Sequence, residues 1–195
     1  MKVNFVKTFI PVKDFVAVEK VGDKILVRFD AVKDADMDAY SCVEGSVSAS
    51  EYNEQKVRRE YEAWKQKWAE KALVLAKKAK IAEITAYDTS SSVNGFMLNG
   101  LLVWLDKATR VGLMNSTTIA KAAGQKTTTL WLGGLKLVVD CDKAIQLLSA
   151  LEMYALECFN VTASHKQAVS ELTTIEEVEA YDYKAGYPKM LEMSV

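Results

Sequence analysis

A chain of 195 residues, half of them apolar, can bury a core as one ordinary domain or as two small ones with a connecting element, so disorder is excluded as its main state. With 26% charged residues and a formal net charge of −1, it has no overall field for nucleic acid or an acidic membrane, and such a partner would need a local patch. Its three cysteines, Cys42, Cys141 and Cys158, are odd in number and lack CxxC spacing; they suggest neither a disulfide framework nor a zinc site and point to a reducing compartment during folding.

In chain order, Met1 to Lys7 has no continuous apolar stretch of the signal-peptide kind, and no later run reaches the length of a membrane span. The expectation is a soluble protein made in the cytosol. Residues 1–47 read as strands. A strand over Asn4 to Val12 ends near Pro11, which suits a sheet edge. Val16 to Val21 and Lys24 to Phe29, joined by Gly22-Asp23, spell a hairpin that sets Val18 opposite Val27 and Val16 opposite Phe29, with Ile25 on the same face and Glu19 and Arg28 on the other.

Residues 48–86 contain neither Pro nor Gly and read as one long helix, with Ser48 and Glu51 as a capping box. Its apolar residues Tyr61, Trp64, Trp68, Ala72, Leu75, Ala79 and Ala82 recur at steps of three and four. That stripe fits a short coiled coil and equally a helix lying across its own domain. From Glu51 to Lys80 there are nine Lys or Arg and five Glu, a local excess of four positive charges. The glutamates are interspersed and the tryptophans lie on the apolar stripe, so a solvated face is favoured over nucleic-acid binding.

Residues 87–195 hold a near-duplication. Phe96-Met97-Leu98-Asn99-Gly100-Leu101, followed by Asp106, recurs as Leu130-Trp131-Leu132-Gly133-Gly134-Leu135, followed by Asp140. Each copy spells a hairpin, with turns at Asn99-Gly100 and Gly133-Gly134, then an Asp suited to cap a helix. The helices run from about Lys107 to Ala123, stopped by Gly124, and from about Cys141 to Leu172, with Ala144, Leu148, Leu151, Ala155, Cys158 and Val169 on one stripe. Thr174-Ile175-Glu176-Glu177 opens a short helix through a second capping box, and the aromatic tail Tyr181 to Pro188 is expected to pack. The fold class is therefore α+β: an N-terminal antiparallel β module (1–47), a long helix (48–86) and a C-terminal ββαββα domain (87–195).

No residue pattern spells out a catalytic apparatus. Asp106, Asp140 and Asp142 offer a carboxylate set, but their places between strand and helix make the first two caps, and no His or Cys arrangement completes a typical transition-metal site. His165 lies two helical turns from Cys158, about 10 Å along the axis, too far for a nucleophile pair. Gly124-Gln125-Lys126-Thr127 lacks the upstream glycine and the strand-to-helix order of a phosphate loop. Neither a catalytic, cofactor nor metal residue is assigned. Trp104 and Trp131 suit ligand stacking, but their aliphatic neighbours favour core packing, a preference that exposure of either would reverse.

The segment from about Lys80 to Leu191 resembles a domain-of-unknown-function family encoded by phages and prophages, commonly in the tail-fibre region. The resemblance rests on Ala82-Glu83-Ile84 with Ala86-Tyr87-Asp88, on Val93-Asn94-Gly95-Phe96, and on Trp104 through Arg110. It continues through Thr128 to Trp131, the Ala144 to His165 helix, and Ile175 through Pro188. It implies a non-enzymatic virion structural or adaptor protein of the tail or fibre apparatus, in contact with other phage structural proteins. The alternatives are a fibre-assembly chaperone, and a carbohydrate-binding module or small hydrolase at the tail tip. A dimer or trimer is expected through Tyr61, Trp64, Trp68, Ala72, Leu75 and Ala79, with no cofactor, nucleic acid or membrane partner.

Overall fold

The computed structural model describes residues 1–195 as two compact units, Met1–Ala72 and Leu73–Val195, with the division inside a long helix. The α+β class read from the sequence is the one observed. No helix is long and apolar enough to cross a membrane.

The first unit is a four-stranded antiparallel sheet in the order β1-β4-β3-β2, formed by β1 (Val6–Pro11), β2 (Val18–Val21), β3 (Lys24–Lys33) and β4 (Ala39–Ser48). Pro11 ends the edge strand, where its missing N–H costs no ladder bond. The Gly22-Asp23 turn sets Val18 opposite Val27 as expected, but the ladder starts at Val18. Val16 lies ahead of it, its carbonyl accepting from Arg28 Nη1 at 2.8 Å. The buried Arg28 side chain reaches Glu19 and Glu44 at 3.1 and 2.8 Å, which pins three strands on the face opposite Val27.

Helix α1 runs Glu54–Asp88 and starts later than the Ser48–Glu51 capping box implied. Ser48 is the last residue of β4, paired with Lys24, and its hydroxyl bonds that of Ser50 at 2.9 Å, not a helix amide. Asn53 caps instead, its Oδ1 accepting from the Lys56 amide at 3.0 Å. Val57, Tyr61 and Trp64 then cover Phe5, Val27, Val43 and Val47. Tyr61 stacks on Phe29 at 4.2 Å and donates its hydroxyl to Asp30 at 2.5 Å. Asp30 has φ +49° at the bulge where the β3–β4 register shifts, and Lys65 reaches the same carboxylate at 2.8 Å.

In the second unit the remainder of α1 buries Leu73, Ala76, Ile81 and Ile84 against Val169 and Val178. Leu75, Ala79 and Ala82, which the extrapolated stripe placed on the apolar side, are exposed. A strict heptad slips by about 20° per repeat on a straight helix, so two apolar stripes coexist in this sequence, and the tertiary partners select the one that includes Ile84.

The two hairpins form as read. The β5 (Gly95–Leu98) and β6 (Leu101–Trp104) pair turns at Asn99-Gly100, both with positive φ as a type I′ turn requires. The β7 (Thr127–Leu132) and β8 (Leu135–Asp140) pair turns the same way at Gly133-Gly134. They do not join: β7 and β8 stay two-stranded, whereas β5 is flanked on its other side by a parallel strand β9 (Leu191–Met193). That strand was not legible, because three residues carry no period.

Helices α3 (Lys107–Ala122) and α4 (Cys141–Glu171) begin at Asp106 and Asp140, whose carboxylates accept backbone amides at 2.8 Å; both are caps. A short α2 (Ser91–Asn94) leads into β5, and α5 (Ile175–Ala180) opens on the Thr174–Glu177 capping box. Phe96, Leu98 and Val103 of one hairpin and Leu130, Leu132 and Val139 of the other meet Ala144, Leu148 and Leu151 of α4 in one core. The tail packs Tyr183 and Tyr187 edge-on against Tyr87.

One fully buried side-chain polar atom in this unit has no hydrogen-bond partner, the Thr117 hydroxyl on α3. Thr117→Val keeps the shape and removes the desolvation cost, so urea denaturation is expected to show a gain of about 1 kcal/mol. A loss of stability would mean that the hydroxyl is bonded.

Candidate functional site

A cleft of about 390 Å³ opens on the second unit where the end of α1, α2, the end of β6, the start of α3 and the middle of α4 converge. Its position follows from the local sequence. Gly95 joins α2 to β5 so tightly that a Cβ there would lie 2.3 Å from the Ser91 carbonyl oxygen, and only glycine makes the join. Opposite Gly95 in the ladder stands Trp104, the last residue of edge strand β6. Val103 points into the core, so alternation turns Trp104 outward, 39% exposed, onto the wall of the cleft.

Two residues on, Asp106 caps α3 and spends both carboxylate oxygens on Thr109, taking its amide at 2.8 Å and its hydroxyl at 2.7 Å. These bonds hold the Asp106 carboxyl below the usual carboxylate range. One turn further, Arg110 is only 8% exposed. Its Nε donates to Glu152 of α4 at 2.8 Å and its Nη1 to the Leu105 carbonyl at 2.8 Å. The guanidinium is therefore fixed, while Nη2 has no partner within the protein. Across the cleft, Asp88 accepts from the Thr162 hydroxyl, and its carbonyl accepts from Asn94 Nδ2 at 2.7 Å.

The structure thus brings Trp104 together with Asp106, Arg110, Glu152 and Asp88. Arg110 and Glu152, 42 residues apart, were not visible as a pair in the sequence; the only signal was the Trp104–Arg110 block quoted for the resemblance. Trp131 is elsewhere, 59% exposed on the outer face of the β7–β8 hairpin with Lys136 over its ring. Core packing, the expectation for both tryptophans, is overturned. Each lies at a strand position whose opposite face already meets the core, Val103 in one hairpin and Leu130 and Leu132 in the other.

Cys158 and His165 do not meet. The Cys158 thiol donates to the Val93 carbonyl at 3.4 Å, and burial raises its pKa. His165 bonds Tyr181 Oη at 2.9 Å and the Ala185 carbonyl at 3.0 Å, a tie for the aromatic tail. Tyr154, beside Cys158, is pushed up to about 12 chiefly by burial and donates to the same Val93 carbonyl. Asp142 pairs with Lys121, and no three His, Cys, Asp or Glu residues group as metal ligands.

Of the stripe on α1, Tyr61 is 3% exposed, covered by the chain's own sheet, and Trp64 is half-buried. Trp68 is 45% exposed, stacked on Trp64 at 5.5 Å with Lys7 over its ring. Ala72 is half-buried, and Leu75 and Ala79 are exposed.

Residues 75–185 match the family model described as Domain of unknown function (DUF4376). No curated protein and no solved structure matches the chain. The matched span is more than half of the chain and contains every residue that lines the cleft. The chain belongs to the DUF4376 family, and its cleft is built within the family's own domain.

Proposed function

We propose that this is a non-enzymatic assembly protein, a structural or adaptor component of a phage particle in the tail or tail-fibre apparatus, made in the host cytoplasm and acting by protein–protein contact. The observation that carries this reading is the outer face of the β7–β8 hairpin. Trp131 and Val138 stand exposed there on a two-stranded sheet whose edges both lack a neighbour, a surface suited to a protein partner. The resemblance of residues 80–191 to phage-encoded proteins supports the particle context. Mass spectrometry and cryo-EM of purified virions should find the protein at a fixed copy number, and finding none would overturn the reading.

The open strand edges also favour a second reading, a fibre-assembly chaperone that pairs with a client strand and then leaves. Absence from the virion together with misfolded fibres in a deletion strain would select it.

Self-association is part of the same proposal. Light scattering of the full chain should report a dimer or trimer, held through the exposed side chains of α1, Trp68 and Leu75 first. Trp68→Glu or Leu75→Glu should shift it toward monomer. A wild-type monomer at high concentration, unchanged by either substitution, would reject it.

A further inference from the structure

We propose that the cleft bounded by Trp104, Arg110, Glu152 and Asp88 is a saccharide site that takes one or two rings of a neutral glycan. Its volume of about 390 Å³ falls in the range of small-ligand sites. Trp104 presents an exposed aromatic face at its wall, and Leu156 and Phe159 add exposed apolar surface for the C–H face of a sugar ring.

The polar groups match the hydroxyl face. Arg110 offers the unpartnered Nη2, Glu152 the oxygen not engaged by Arg110, and Asp88 the oxygen not engaged by Thr162. A sugar hydroxyl both donates and accepts, and this cleft supplies a donor and two acceptors in fixed positions. Both Arg110 and Glu152 are held by their mutual bond, so little side-chain freedom is lost on binding.

The charge balance selects a neutral ligand. Three carboxylates (Asp88, Asp106, Glu152) against two cations (Lys107, Arg110) disfavour phosphate, sulfate or a sialic acid. A basic peptide side chain fits less well, because the Arg110 guanidinium lining the same cleft repels a cation. Hydrolysis is not part of the proposal.

This site is independent of the assembly surface, which rests on Trp131 and Val138. The test is a titration of the full chain with maltotriose, cellotriose, chitotriose, N-acetyllactosamine and mannotriose, read by tryptophan fluorescence and saturation-transfer NMR. Sialyllactose and trilysine run alongside. Saturable binding of at least one neutral sugar is expected. Trp104→Ala should weaken it roughly tenfold, the loss of one stacking contact, and Trp104→Phe should retain most of it. Arg110→Lys should also weaken it, whereas Trp131→Ala should not. Circular dichroism confirms that each variant is folded; Trp104→Phe and Trp131→Ala, both at exposed positions, keep the comparison usable if another variant unfolds. No saturation by any neutral sugar, stronger binding of sialyllactose or trilysine, or equal loss on Trp131→Ala would overturn the proposal.

Discussion

Truncating Phe96 to alanine is expected to destabilise the Leu73–Val195 unit by about 3–5 kcal/mol. Phe96 is fully buried on β5, opposite Val103 of β6 and Leu191 of β9, so its ring lies where the three-stranded sheet meets the α4 core. Removing it leaves a cavity bounded by close-packed helix and sheet side chains that relax only partly. Denaturant unfolding followed by tryptophan fluorescence measures the loss. A change below about 1 kcal/mol would mean that the site collapses freely and that the core is not organised around β5.

Tyr61→Ala is expected to cost a further 3–5 kcal/mol or thereabouts in the first unit, whereas Trp68→Ala stays within about 1 kcal/mol. Both residues belong to one apolar stripe, and the contrast separates a core residue from an exposed one. Tyr61 contacts Phe5 at 5.3 Å, Phe29 at 4.2 Å and Trp64 at 6.0 Å, and its hydroxyl ties down the strained bulge at Asp30. Trp68 keeps much of its ring in water. Equal effects of the two substitutions would remove this distinction.

The bulge also sets a pH dependence. The hydrogen bond from Lys65, then that from Tyr61, holds the Asp30 carboxyl below its ordinary value. The folded-state pKa is thus depressed, so the stabilisation is present above the ordinary carboxylate range and is lost as the pH falls through the lowered value. Asp30→Asn should flatten that acid limb of the stability profile, and an unchanged limb would assign it to other carboxylates. The carboxylate is half exposed, so the effect is small beside that of Tyr61→Ala.

Where the chain carries strong local signals, the reading and the structure agree. Asn99-Gly100 and Gly133-Gly134 demand positive φ, Asp106 and Asp140 stand where first-turn amides need an acceptor, and Thr174 with Glu177 closes a reciprocal cap. The α4 stripe from Ala144 to Val169 is buried as its spacing required. Where two local signals compete, the outcome was not legible. Ser48 could cap a helix or finish a strand, and pairing with Lys24 decided for the strand.

The candidate site was legible only in part. Trp104 could be named as a stacking residue, but its exposure depends on which face of β6 meets the core. Arg110, Glu152 and Asp88 come from three helices far apart in sequence and meet only because α3 packs on α4 beside the end of α1.

By itself the sequence determined the class of fold, the places of the hairpins and the starts of α3, α4 and α5, because turn dihedrals, caps and apolar periods are set within a few residues of chain. Tertiary structure alone decided which of two stripes on α1 is buried, which strand faces meet solvent, that the two hairpins remain in separate sheets, and that a paired arginine and glutamate line a cleft beside an exposed tryptophan. Those outcomes depend on contacts between residues tens of positions apart, whose free energy no local pattern contains.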